Sequence, residues 1–472
     1  MSREIRDTGD MNGLLLRDAE VGGRARVDVR VEGGRIAEIG TGLARRPGER
    51  AVGCGGGALL PGLCDHHLHL HAMAAAARSV RCGPPDVTTR DGLAAALRGA
   101  AADEHGWIRG TGYAEGVAGH LDAAGLDAFR ADRPVRLQHR SGALWTLNSA
   151  AVRAAGLASG GHPGIERDAD GEPTGRLWRA DGWLRDRLPP SPPVDLAAVG
   201  RLLAGLGVTA VTDATPDLDG TALASIGSAV RDGALPPRVH LLGVPLEGPP
   251  EPLDRRITTG PYKIVLADSG LPSLDDLAER IRGAHAAGRA VAVHCVTRES
   301  LFLLLAAFDE TGARPGDRIE HAALVPPEFA AELAARGLRV VTQPGFLADR
   351  GDDYLRDVPA ADRPDLYRCA GLAAAGVPVG LSSDAPYGPV DPWAVMDAAV
   401  RRRTRSGAVL GADEAITPAD ALRSYLAPPD DPGGTPRRVR VGAPADLVLL
   451  HTPLRDALAR LSSGNVREVW PG

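Results

Sequence analysis

Residues 61–70 read PGLCDHHLHL. Pro61 and Gly62 open the run, apolar residues carry it, and Asp65, His66, His67 and His69 crowd its end. A short apolar run bounded by turn residues reads as a buried strand. Side chains two apart on a strand share a face, so His67 and His69 point one way and His66 the other. His66 then belongs to packing behind the strand or to a group that supports the ligands. Two imidazoles delivered together from one strand end make the rest of that rim the place to search.

Outward from this stretch the chain alternates short apolar runs with helical patterns. The strand-like runs are 58–70, 207–215, 238–244, 261–268, 290–295, 318–324, 339–345 and 378–386, with amphipathic segments such as 274–288 and 326–337 between them. Eight strands joined by helices predict an α/β fold, a (β/α)8 TIM barrel, built from 59–81 and 194–436. The gap between the first two strands far exceeds an ordinary loop. Residues 82–193 therefore read as an inserted lid subdomain, ending in the stiff LPPSPP segment at 188–193. Both chain ends look β-rich. VDVRVEGGRIAEI (27–39) alternates, turns at Gly33–Gly34 and resumes, which is a hairpin pattern. RRVRVGAPADLVLL (437–450) and NVREVW (465–470) supply further strands. Residues 1–58 and 437–472 are expected to form one small β-sandwich.

The 472 residues carry a net charge of −6 and no basic tail, so nucleic acid is not an expected partner. There is no apolar export signal at the start and no run long enough to span a bilayer. Cys54, Cys64, Cys82, Cys295 and Cys369 are scattered and odd in number, which fits reduced thiols in a cytoplasm. The expected partner is a small-molecule substrate, with no membrane and with a homodimer as an open option.

The polar residues at the strand ends carry the chemistry. His294 ends the fifth strand, His321 the sixth and Asp384 the eighth. Barrel enzymes build their sites at this end of the strands. Several imidazoles with a carboxylate suit zinc and neighbouring transition metals. The fourth strand holds Lys263, the only lysine among 54 Lys plus Arg residues. Arginine replaces lysine readily on a wet surface, but not where an amine must become neutral and react. Lys263 is either a chance survivor of an arginine-rich bias, an amine that hydrogen-bonds substrate, or a group with its own chemistry. Gln343 ends the seventh strand and is expected to face substrate. His139, Tyr113 and Trp145 in the insertion are further candidate substrate contacts. Asp268 and Ser269 follow the lysine, and Asp268 is expected to cap the next turn or orient a ligand.

PGLCDHHLHL, VHC, RIEH and GLSSDAP, in that order, resemble the amidohydrolase superfamily of metal-dependent hydrolases. WIRGTGY, PVRLQHRSGALWTLNS, GEPTGRL and VVTQPGF resemble its YtcJ-like, or amidohydrolase 3, branch, which includes N-substituted formamide deformylase. His66 departs from the small residue this pattern usually has there. The resemblance implies two divalent metal ions, zinc first, with iron, manganese or cobalt as alternatives. His67, His69 and Asp384 would hold one and His294 and His321 the other. Lys263, carboxylated by CO2, would bridge them. It also implies a metal-bridging hydroxide as nucleophile, with Asp384 as general base and acid, acting on the C–N bond of an N-acyl, N-formyl, carbamate or cyclic amide. Two other classes stay open: a mononuclear deaminase or lactone hydrolase, and a non-catalytic scaffold.

Overall fold

A computed structural model describes residues 13–190, 194–249, 251–267 and 270–472. Asp268, Ser269 and the end of the LPPSPP segment lie outside the described residues. The chain divides into two compact units, His71–Asp195 and the remainder.

The first unit begins with β1 (Leu14–Val21), β2 (Arg24–Glu32), β3 (Arg35–Gly40) and β4 (Arg50–Gly53), in sheet order β3-β2-β1-β4. Gly33 and Gly34 form the β2–β3 hairpin with φ of +55° and +71°. Two successive positive φ angles are what a tight two-residue hairpin demands, and glycine meets them without a Cβ clash. After these come β5 (Leu59–Pro61) and β6 (Leu63–Leu68).

The second unit contributes β7 (Val80–Arg81), β8 (Ile108–Tyr113), β9 (Val135–His139), β10 (Leu144–Leu147), β11 (Ile165–Arg167) and β12 (Pro173–Trp178). These form one sheet, ordered β11-β12-β10-β9-β8-β7. Separate apolar clusters around Leu93, Leu97 and Leu137 and around Trp107, Trp145 and Leu177 give this unit its own core.

The first unit then resumes with β13 (Val208–Asp213), β14 (Arg238–Leu241), β15 (Ile257–Thr259), β16 (Tyr262–Val265), β17 (Val291–Cys295), β18 (Arg318–His321), β19 (Arg339–Thr342) and β20 (Val379–Leu381). It ends with β21 (Leu447–Leu450) and β22 (Val466–Trp470), which join β5 in a sheet ordered β22-β21-β5. Leu14, Leu16 and Val29 from the N-terminal sheet share a buried cluster with Leu59, Leu447, Leu449 and Trp470.

Each of the eight expected strand positions carries a strand, but they do not form one closed ladder. They fall into two parallel sheets, β15-β14-β13-β6 and β16-β17-β18-β19-β20. One break lies between β20 and β6, and the other between β15 and β16, where Gly260 and Pro261 interrupt the strand. Proline has no N–H to give a ladder. Single backbone bonds cross between the sheets. Lys263 N donates to Leu242 O at 3.2 Å, Asp384 N to His67 O at 2.8 Å, and His69 N to Ala385 O at 2.9 Å.

Helices pack on the apolar face of these strands. The helix Leu274–Ala286 is typical: Ser273 caps it by accepting from Asp276 N, and Leu277, Ile281 and Ala284 form its buried stripe. That stripe packs on Ile264, Val291 and Val293. No described helix is long and apolar enough to cross a membrane.

Candidate metal centre

Strand alternation places the side chains of β6. Asp65, His67 and His69 share one parity, while Cys64 and His66 take the other. His66 is buried behind the strand, with Nε2 2.9 Å from Ser424 O. Burial pushes it down to about 3, so it stays neutral. Asp65 turns back to the backbone, accepting from His67 N at 3.1 Å and Ser383 N at 3.2 Å.

His67 and His69 converge on Asp384. His67 Nε2 lies 3.6 Å and His69 Nε2 3.2 Å from Asp384 Oδ1, and His321 Nδ1 lies 3.8 Å from Oδ2. One ligand atom each from His67, His321 and Asp384 fall within 4.8 Å of one another. The His294 ring is 4.5 Å from the His321 ring, centroid to centroid. Burial pushes the Asp384 carboxyl up, but the rings of His69, His67 and His321 outweigh it and hold it below the usual carboxylate range.

His321 should not face this cluster if β18 ran straight. In the parallel register His294 sits beside Glu320, and Cys295 beside His321. Alternation therefore turns Glu320 inward with His294 and His321 away. The backbone resolves this with a three-residue turn: Ala322 N donates to Glu320 O at 3.0 Å and His321 takes φ of +71°. Such a turn is rare and strained. It swings His321 onto the same rim, so β18 presents two adjacent polar side chains. Asp384 also takes a positive φ, +53°. Non-glycine residues in such conformations cluster at functional sites.

Lys263 is 3 % exposed. Val265 pairs with His294, so Lys263 sits two residues deeper on its strand than expected for the rim. That depth is about 6.6 Å of strand rise, which only a long side chain spans. Burial lowers its pKa, with Glu320 and Asp384 opposing. Among the described residues Lys263 Nζ, His67 Nε2 and Asp384 Oδ1 are buried without a hydrogen-bond partner. Orphaned buried polar atoms cost free energy unless something satisfies them. A cation suits this imidazole and carboxylate set, since imidazole nitrogens and carboxylate oxygens are its usual ligands.

The outer nitrogens are already engaged. His67 Nδ1 meets Glu320 Oε2, His69 Nδ1 lies 3.1 Å from Thr215 Oγ1, and His321 Nδ1 lies 2.8 Å from Gln343 Oε1. Metal-ligating histidines usually donate their second N–H in this way. Gln343, expected at the substrate, is instead fully buried. Its Nε2 donates to Ser382 Oγ at 3.0 Å, which fixes its oxygen on His321. Glu320, Thr215 and Tyr387, whose ring is 5.4 Å from His69, were not singled out in the sequence. The glutamate of RIEH was the one available signal.

The remaining candidates lie in the other unit. Tyr113 is buried with its hydroxyl donating to Gly119 O, and Trp145 is buried with Nε1 donating to Asp181 Oδ1 at 2.8 Å. Both side chains serve that unit's own core. His139 is part-exposed, with Nδ1 2.7 Å from Ser141 Oγ and Nε2 3.1 Å from Glu115 Oε2.

Comparison with known proteins agrees with the geometry. The chain is 27% identical to N-substituted formamide deformylase of Arthrobacter pascens, over 93% of this chain and 92% of that protein. It is 26% identical to the Bacillus subtilis (strain 168) protein YtcJ, over 88% of each. In fold it matches an uncharacterized metal-dependent hydrolase from Pyrococcus horikoshii OT3 with a TM-score of 0.73 at 21% identity, covering 96% of this chain and 99% of that one. A sequence profile of the amidohydrolase family spans residues 50–471, and the chain belongs to that family.

Proposed function

We propose that this protein is a metal-dependent amidohydrolase that hydrolyses the C–N bond of an amide-like small molecule. The observation that carries the reading is the convergence of His67, His69, His321 and Asp384 beside a buried lysine amine with no hydrogen-bond partner. The likeness to a formamide deformylase favours N-formyl or N-acyl substrates over cyclic amides. The two parallel sheets are read as two arcs of a TIM barrel, supported by the backbone bonds that join them. Five buried cysteines outside any disulfide support a reducing, cytoplasmic setting.

In this reading His67, His69 and Asp384 hold one divalent cation, and His294 and His321 hold a second. Such cations, when bound, would supply Lewis-acid chemistry, polarising a carbonyl and lowering the pKa of a bound water. Lys263 would supply an anionic oxygen ligand: its neutral amine would add to CO2, forming an N–C bond as a C=O π pair moves to oxygen, with loss of one proton from nitrogen. Burial favours the neutral amine this needs. Asp384 takes the proton of the attacking water and returns it to the departing nitrogen. Its Oδ1, at the meeting point of the His67 and His69 rings, suits that exchange.

A second reading is a mononuclear enzyme of the deaminase or lactone hydrolase type. It is favoured by the compactness of His67, His321 and Asp384 as a single-ion group. Metal analysis together with Lys263→Ala separates the two. The binuclear reading expects close to two metals per chain, loss of metal and turnover in the variant, and partial rescue by short carboxylates. One metal per chain with unchanged turnover in the variant would favour the second. Asp384→Asn should abolish turnover of an N-formyl or N-acyl panel in either case.

A further inference from the structure

We propose that Glu320 is a positioning residue that fixes the proton of His67 on Nδ1 and so presents Nε2 as a lone pair. This rests on the metal-centre reading but makes a claim of its own about the protein. The three side chains involved are all buried: Arg318 and His67 are 1 % exposed and Glu320 is 0 %. Arg318 Nε donates to Glu320 Oε1 at 2.6 Å, and Glu320 Oε2 meets His67 Nδ1. Arg318 and Glu320 are two apart on β18, so both face inward, one below the other.

The donor inventory makes the arrangement directional. Guanidinium only donates, and a carboxylate only accepts. With Arg318 on one oxygen, the other is left to accept from the imidazole, and Nδ1 must carry the hydrogen. A merely structural ion pair offers no reason for this order, since buried ion pairs add little net stability over apolar packing.

The isosteric Glu320→Gln variant reverses the order. Arg318 still demands an acceptor and takes the amide oxygen. The amide NH2 then faces His67 Nδ1, which must accept, and the ring proton moves to Nε2. The variant keeps size and packing but removes the lone pair. Losses from such supporting groups are typically 10–100-fold in metal affinity.

The test is Zn2+ affinity of the full chain by competition with a chromophoric chelator, with 15N NMR of the metal-free protein to locate the His67 proton. The His67 signal is assigned by its loss in His67→Ala. The expected result is Nδ1–H in the parent, Nε2–H in Glu320→Gln, and Zn2+ affinity at least tenfold weaker in that variant. Affinity retained within tenfold overturns the proposal, as does an Nε2–H tautomer in the metal-free parent. The tautomer measurement needs no variant, so poor folding of Glu320→Gln leaves the proposal open to refutation. A parent that binds no Zn2+ would sink the metal-centre reading, while an unaffected variant of a Zn2+-binding parent would sink only the role of Glu320.

Discussion

Lys263→Met should make the metal-free protein more stable while removing its ability to hold a full metal complement. Methionine is close to lysine in length and is apolar. The lysine amine it replaces is buried and has no hydrogen-bond partner among the described residues. Leaving such a group unsatisfied costs about 1–3 kcal/mol. The variant should gain that amount at pH 7, read as a higher urea midpoint of chelator-treated protein. The pH dependence gives a second handle. Burial lowers the folded pKa of Lys263 below its unfolded value. The unfolded chain therefore binds more protons between those two values, and stability rises with pH through that window, up to about 10.4. The variant should lack this rise. With Zn2+ added the order should reverse, because binding stabilises only the parent at the full complement. A metal-free variant no more stable than the parent would refute the reasoning, as would equal Zn2+ content.

Three further outcomes are expected. His240 lies on β14, bonded to Thr258 Oγ1 at 2.8 Å, and burial pushes it down to about 3. Its folded pKa is depressed, so its contribution is intact above pH ~6.5 and is lost as pH falls toward 3. At pH 5 the loss is about 2 kcal/mol, which His240→Met should abolish in urea titrations at pH 7 and pH 5. Ile281→Ala empties a fully buried position in the helix-covered core and should cost about 2–5 kcal/mol by the same titration. Gly62→Ala would place a Cβ 1.9 Å from Thr209 Oγ1 and 2.6 Å from Asp446 Oδ1; such overpacking should cost about 1–3 kcal/mol and lower the melting temperature.

The strands were legible in the sequence because parallel strands covered on both faces read as uninterrupted apolar runs between turn residues. His67 and His69 were legible because period-two geometry needs nothing but the strand itself. His321 was singled out by its place in RIEH, although a straight strand would turn it away. The turn at φ +71° is a local backbone choice that no side-chain pattern announces. Glu320 was not singled out, because nothing in RIEH shows that its last two residues both reach the rim. Gln343, Tyr113 and Trp145 show a different limit. An amide or an aromatic ring looks the same in sequence whether it faces a pocket or a core. Only the partners Ser382, Gly119 and Asp181, all distant or local in ways the pattern does not encode, decide between them. The broken ladder was written in Gly260–Pro261, but a single proline is as easily read as the start of a strand.

The interruption between β15 and β16 has a mechanical consequence. His67 and His69 ride on or beside one sheet, whereas Lys263, His294, His321 and Asp384 ride on or just beyond the other. An ion gripped by both groups acts as a rivet across a seam that the backbone crosses with few bonds. Loading it should slow amide hydrogen exchange at Lys263, whose N–H crosses on the β15–β16 side, and at Asp384, whose N–H crosses at the other junction, between β20 and β6. Occupancy would thus tighten the scaffold as well as arm it.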